Sequence, residues 1–447
     1  MFRKLALIFF LSMFLGITAT HAATTVVTPG IGTLKTAVDA AAEGDILLLQ
    51  TGNYNLNANI NVAVGITIRP EDNTHQPRII LNNYNILLNH TAGSTTLQKL
   101  EVIGAGQVYT SNAKAINILE NNFTDTRLNF YNISSFCYFI GNHAQRSAGA
   151  TSGFDVTLGA SCYVAGNTFE KTHTFTTYSG YFIGNKVSTS HAQNVAMNLY
   201  TAYVIGNEFI RDLDTNPPTY ANSDYNLAVF NAPTQSGLTG KWPLISNNIF
   251  RVIGALGSAP GSPIKDMVAV NLATSSQLHN NIIDYAAFQW STGGDHGMIY
   301  VGSNSTVQGN IVINGSNNGM PAITFINDTE RTQSDASYND CFNNAGNCGS
   351  TDGNISIDPD FVDFIDYVLS PGSSPAIDAG PANEHLNDLD GSRNDMGVHG
   401  GPHPISQYRN QLNPAATAPF VYPVFKDIQT LSGAQVEVTA IGVARFK

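Results

Sequence analysis

A short phrase repeats through the middle of the chain: a tyrosine, two apolar residues, then Gly-Asn. It reads Tyr138-Phe-Ile-Gly-Asn142, Tyr163-Val-Ala-Gly-Asn167, Tyr181-Phe-Ile-Gly-Asn185 and Tyr203-Val-Ile-Gly-Asn207. The asparagines are 25, 18 and 22 residues apart. A period of this size, built from short apolar runs that each end in a turn residue, belongs to a stacked solenoid. No single coil can bury its apolar face alone, so neighbouring coils must share one core. The expected fold is all-β: a right-handed parallel β-helix.

Alternation within each phrase separates the core from the surface, because side chains in a strand point to opposite faces with period two. Phe139, Val164, Phe182 and Val204 sit three residues before the asparagine, and Cys137, Cys162, Gly180 and Ala202 five before it. Both sets share the inward face. Phe169, Val187 and Phe209, two residues past the asparagine, resume the core. The tyrosines are out of phase and point outwards, where they form either a self-stacking ladder or a platform for sugar rings. Tyr138, Tyr163, Tyr181 and Tyr203 are therefore candidate substrate-binding residues. Later coils keep the turn but lose the tyrosine, as in Leu244-Ile-Ser-Asn-Asn248, Leu278-His-Asn-Asn281 and Val307-Gln-Gly-Asn310. Their wider spacing implies loops that grow out of the coils, such as Asp214 to Asn222 and Gly257 to Pro263, and long loops on a rigid scaffold often carry function.

The chain carries 47 asparagines against only 12% charged residues. Asparagine tolerates left-handed backbone and bonds to its own neighbours, which suits a fold that turns every few residues. Formal charge is −12, with 21 basic and 33 acidic residues. That balance argues against nucleic acid and anionic membrane as partners of the surface as a whole.

The start of the chain reads as a secretory signal peptide: Arg3 and Lys4, an apolar run from Leu5 to Ile17, then Thr18-Ala-Thr-His-Ala22, with cleavage expected after Ala22. No later segment is long enough to cross a bilayer as a helix. A secreted or periplasmic monomer follows, with association to a cell surface as a variant. The expected organisation is a signal peptide over 1–22, the β-helix over 23–402, and a capping segment or accessory stub over 403–447. Export also permits disulfides. Cys137 and Cys162 share one offset from their turns and should stack on adjacent coils. Cys341 and Cys348 enclose a short loop and could staple it.

Before the first coil, Leu34, Ala37, Val38 and Ala41 fall at helical spacing, with Gly44 as the stop. A short amphipathic helix here would cap the open end of the apolar column. The order that follows is Gly44-Asp45, an apolar strand, Gly52-x-Tyr54, then Gly65-Ile-Thr-Ile68. Over about residues 31 to 105 this resembles the N-terminal end of pectin-lyase-like β-helix proteins, and within that superfamily the chondroitinase B and alginate lyase group. A second set resembles the closing segment of many exported bacterial β-helix proteins: Asp358-Pro-Asp-Phe361, Ser374-Pro-Ala-Ile-Asp378 and Asp388-Leu-Asp390-Gly-Ser-Arg393-Asn-Asp395. The resemblance implies an exported protein that acts on uronic-acid polysaccharides by β-elimination.

Stacking the coils on their asparagines aligns a basic strip. Arg146, Lys171 and Arg211 lie four residues after the asparagine, Arg251 lies four after Asn247, and His173 and His191 lie two further on in their coils. In an acidic protein such a strip would hold a polyanion. Elimination needs a base beside the carboxylate, a cation for the developing charge and an acid for the leaving oxygen. Lys171 is the candidate base, with His173, Arg146, Arg211 and His191 in support. A second alignment is acidic: Asp224, Asp266 and Asp295 each precede an apolar strand. They could hold calcium or serve as the acid and base of a glycoside hydrolase. Asp388-x-Asp390-Gly does not match an EF-hand loop, and no metal site is assigned. A third possibility has no active site at all: a surface β-helix that binds glycan or acts as a structural spacer.

Overall fold

The protein is a right-handed parallel β-helix with few helices. The computed structural model describes residues 22–147, 155–159, 162–172, 174–178, 180–189, 195–201, 203–212, 225–230, 243–253, 267–285, 297–315, 321–325, 328–344, 348, 352–409, 420–424 and 439–443. Each coil contributes to three faces. The first sheet has 13 parallel strands, from Thr24–Val27 to Asp335–Ser337, and includes the tyrosine phrases. A turn at the asparagine leads to the second sheet, which includes Asn122–Phe130, Thr168–Thr172, Glu208–Asp212 and Ile249–Ile253. The third sheet follows, with Asp155–Leu158, Thr174–Thr177, Val195–Leu199 and Met267–Leu272. Two long strands, Glu101–Thr110 and Asn122–Phe130, run through both of the latter faces.

The helix Thr33–Ala40 closes the N-terminal end and buries Leu34 and Val38 against the first coils. Asp45 fastens this end by accepting from the backbone N–H groups of Ala23 and Ala42 at 2.7 and 2.8 Å. Inside the coils, Phe139, Phe169, Phe182, Phe209 and Phe250 are fully buried. The rings of Phe209 and Phe250 stack 5.0 Å apart at 8°. Cys137 and Cys162 pair in register and form a disulfide inside this core, and Cys341 is bonded to Cys348.

The asparagines form a continuous internal ladder. Asn121, Asn142, Asn167, Asn185, Asn207, Asn248, Asn281, Asn310, Asn339 and Asn354 follow one another. Each Oδ1 from Asn142 onward accepts the backbone N–H of the preceding member, at 2.7 to 3.1 Å. The Nδ2 groups donate to the next Oδ1 and back to a carbonyl of the preceding coil, as Asn185 does to Val164 O at 3.1 Å. Every turn group is thereby satisfied away from water, which a buried corner requires. The residue before each ladder asparagine takes a left-handed conformation: Glu120, Gly141, Gly166, Gly184, Gly206, Asn247, Asn280, Gly309, Tyr338 and Gly353.

That substitution of asparagine for glycine marks where the rest of the chain docks. The ladder ends at Asn354, well before residue 402, and the segment from 358 to 409 lies back along the outside of the last coils. Asn247 Nδ2 donates to Val398 O and Gly400 O, and Asn280 Nδ2 donates to Asn394 Oδ1 and Asp395 O. A second apolar core forms beneath, from Ile249, Ile282 and Ile311 on the coils and Phe361, Met396, Val398 and Ile405 on the returning segment. In earlier coils the positions of these isoleucines hold Thr168, Lys186 and Glu208. Tyr408 then seats against Gly206. Beyond it, Phe420–Val424 pairs antiparallel with Thr439–Val443.

Candidate functional site

Arg211 and Arg251 leave the basic strip, for a reason that lies in the backbone. Two residues past the asparagine points inwards, so four residues past it does too unless the strand is interrupted. Arg211 obeys the alternation: it pairs with Thr189 and Val252 and is only 1% exposed. Lys171 escapes it. The register slips between Phe169 and Thr172, so Thr172 rather than Lys171 stands beside Thr189. Lys171 occupies the bulge at φ 56°, and its side chain is exposed. Arg211 therefore does not share a solvent face with Lys171. Arg251 is displaced by one residue as well, because the ladder runs through Asn248 rather than Asn247. It pairs with Ile210 and points outwards. There Nε donates to Tyr367 Oη at 2.9 Å, and Nη2 donates to the carbonyls of Phe364 and Ile365 at 3.1 Å each.

Arg146 remains beside Lys171: its N–H donates to Glu170 O at 3.2 Å, which sets the two at the same level of adjacent coils. Both lie at the corner between the second and third sheets. Asp125 stands at that corner one coil earlier, also at positive φ, and accepts from Ser147 N at 2.9 Å and Ser147 Oγ at 2.5 Å. Arg127 Nε faces Asp155 Oδ2 at 3.5 Å, and Thr174 Oγ1 donates to Asp155 Oδ1 at 2.7 Å. A shallow hollow of about 250 Å³ opens here, lined by Asn83, Asn85, Gly106, Gln107, Asp125 and Arg127. The corner thus carries three cations, Arg127, Arg146 and Lys171, among carboxylates that balance part of their charge. His173, His191, Asp224, Asp266 and Asp295 lie outside the described residues.

The outward tyrosines of the first sheet are half-sheltered. Tyr181 and Tyr203 stack 5.0 Å apart at 6°, and Tyr163 is 5% exposed. Together with Ile140, Ile183, Ile205 and Tyr408 they form a third apolar cluster. This is a packed ladder partly covered by the returning chain, and its rings spend their faces on one another.

The open face is the third sheet. Its central outward positions run in register as Tyr109, Asn129, Thr157, Thr176 and Asn198, and then, past Val229, as Asn271, Tyr300 and Thr324. Apart from Val229, whose side chain is not described, each is half-exposed, and none carries a charge. With coils about 4.8 Å apart, the lane is about 40 Å long. One margin is the charged corner. The other holds Tyr131, Tyr178 and Tyr200, with Tyr178 and Tyr200 stacked at 4.7 Å and 10° and Tyr131 meeting Tyr178 edge-on at 5.2 Å. Partial burial and the neighbouring Tyr200 and Tyr131 hold the Tyr178 hydroxyl above its ordinary range. The lane was visible in the sequence as apolar–polar–apolar triplets, Val156-Thr-Leu158, Met197-Asn-Leu199 and Val270-Asn-Leu272, which the Gly-Asn alignment passed over.

Among the described residues, no cluster of three or more histidine, cysteine, aspartate or glutamate side chains is placed to hold a metal, and no helix is long and apolar enough to cross a membrane. No protein-family model and no curated protein sequence matches the chain.

Proposed function

We propose that the protein is an exported β-helix that binds an acidic polysaccharide along the outer face of its third sheet. The uncharged lane from Tyr109 to Thr324 carries this reading. From Tyr109 to Tyr300 it offers an amide or hydroxyl at almost every coil, while the Thr324 hydroxyl at its end is buried, on a scaffold too rigid to need ordering when a ligand arrives. A polysaccharide is a repeating, hydroxyl-rich chain, and a repeating row of neutral donors and acceptors suits it. Arg127, Arg146 and Lys171 on one margin supply cations for carboxylates, although the protein as a whole is acidic. The first residues, read as a signal peptide, supply the export.

Elimination is the catalytic form of the same reading, favoured by the placement of Lys171 outside the core beside Arg146. Lys171 would take the proton next to a uronate carboxylate and Arg146 would neutralise the charge that develops; as the carbon–carbon double bond forms and the glycosidic C–O bond breaks, the leaving oxygen would take that proton back from Lys171. Arg211 has no part in it. The test is incubation of the mature protein with acidic and neutral polysaccharides, following binding, reducing ends and absorbance of unsaturated uronate. Elimination raises both chemical signals, hydrolysis only reducing ends, and a binder neither. Lys171→Ala should abolish elimination with the fold intact, since its removal opens no core cavity. Paired substitution Asn129→Leu and Thr176→Leu should weaken binding about tenfold or more, through lost hydrogen bonds. Unchanged affinity in that pair, or no affinity for any polysaccharide, would overturn the proposal.

A further inference from the structure

We propose that the hairpin formed by Phe361–Asp363 and Val368–Leu369 is a docking surface for the chain's own residues Ala444-Arg445-Phe446-Lys447. The hairpin lies apart from the lane and serves no part of the polysaccharide reading. It displays an unusual set of side chains: Val362, Phe364 and Ile365 are 63%, 63% and 71% exposed, and Ile357 is 54% exposed. So many large apolar groups within nine residues on a surface mark an interaction site. The display is held rigidly. Arg251 grips the carbonyls of Phe364 and Ile365, while Tyr367 Oη donates to the buried Asp284 at 2.5 Å. Asn314 Nδ2 donates to the other oxygen of Asp284 at 2.7 Å. Beneath the tip, Phe361 packs edge-on against both Phe364 and Tyr367. The apolar groups are therefore presented to solvent by a fixed frame.

Charge selects the occupant. Residues 357 to 369 hold four aspartates, Asp358, Asp360, Asp363 and Asp366, and no lysine or arginine. The complement is an apolar group flanked by cations, and Arg445-Phe446-Lys447 has that composition. These residues follow directly on Val443, the end of the strand Thr439–Val443. Reach is not limiting. Tyr408 sits against Gly206, one coil from Arg251 in the ladder, and the ten residues between Arg409 and Phe420 can extend about 33 Å. Docking would bury Phe446 against Phe364 and Ile365 and set Arg445 and Lys447 among the aspartates.

The experiment compares the full chain with one that ends at Val443, and titrates the shortened chain with a labelled peptide of residues 439–447. The full chain should bind an apolar fluorescent dye weakly and the shortened chain strongly. The peptide should bind the shortened chain and quench that signal. Arg445→Glu with Lys447→Glu in the peptide should weaken binding about tenfold, as should raised salt. Phe364→Ser with Ile365→Ser in the chain should abolish it; both side chains are exposed, so an unchanged melting midpoint checks the fold, and the peptide variants need no refolding. Equal dye binding in both chains with no peptide binding would overturn the proposal. So would association of full-length chains that disappears in the Phe364→Ser, Ile365→Ser variant, which would give the surface to a second copy.

Discussion

Replacement of Asn185 by leucine tests whether the ladder holds the coils together. Its side chain sits at zero exposure and makes four hydrogen bonds. Oδ1 accepts from Asn167 N at 3.0 Å and Asn167 Nδ2 at 2.9 Å; Nδ2 donates to Val164 O at 3.1 Å and Asn207 Oδ1 at 3.1 Å. Leucine removes all four and leaves the buried N–H of Asn167 without an acceptor. A buried donor without a partner costs about 1–3 kcal/mol, and the stranded amide of Asn167 and carbonyl of Val164 add to it. The expected loss is about 3–5 kcal/mol. Asn198→Leu, on the open third-sheet face, is the control and should stay within about 0.5 kcal/mol. Chemical unfolding gives the global shift, and hydrogen exchange at the Asn167 amide gives the local one, since a solenoid can open coil by coil. Equal unfolding midpoints for the two variants, or an Asn167 amide that remains protected, would refute the reasoning.

Gly206→Ala should cost about 2–4 kcal/mol, from the left-handed backbone at φ 66° and from displacement of the Tyr408 ring by the new Cβ. In a double-mutant cycle with Tyr408→Ala the two costs should be less than additive; simple additivity would mean that Tyr408 does not seat there. Asp340 has no exposed surface, and among the described residues only Ile357 N–H donates to it, at 3.3 Å. Burial first, and then the charge of Asp358, push its carboxyl up to about 7. The folded state therefore keeps a proton that the unfolded chain releases near pH 4. Stability from this group is full below that value and falls as pH rises to about 7, by on the order of 4 kcal/mol. Asp340→Asn should flatten the decline in melting midpoint between pH 4 and 7; a decline that persists unchanged would assign it to other groups.

The fold was legible in the sequence because three separate signals coincide in each phrase: an inward residue, a left-handed glycine and a buried asparagine. The candidate site was less legible because distance along the chain does not fix which way a side chain points. Arg146, Lys171 and Arg211 share one offset, yet a bulge at Lys171 turns it outwards while Arg211 follows the strand inwards. Asn247-Asn248 offered two choices of ladder residue, and the choice of the first moved Arg251 to the wrong face. The docking of the returning segment had a signal as well. Isoleucine replaces polar residues just after the ladder at 249, 282 and 311, and asparagine replaces glycine just before it at 247 and 280. Both changes take their meaning from contacts more than 100 residues away, such as those of Asn247 with Val398 and Gly400.

The ladder counts turns and is indifferent to the number of residues between them. Asn167 and Asn185 are 18 residues apart, Asn207 and Asn248 are 41 apart, and the bond across each gap is the same length to within 0.1 Å. More than doubling a coil in this way costs little, since each doubling of a flexible connection adds only about 0.6 kcal/mol of closure entropy. The frame can thus accept new sequence at the corners without a shift in any strand pair. Lengths at those corners are free to change with whatever the third sheet holds, while the asparagine positions are not.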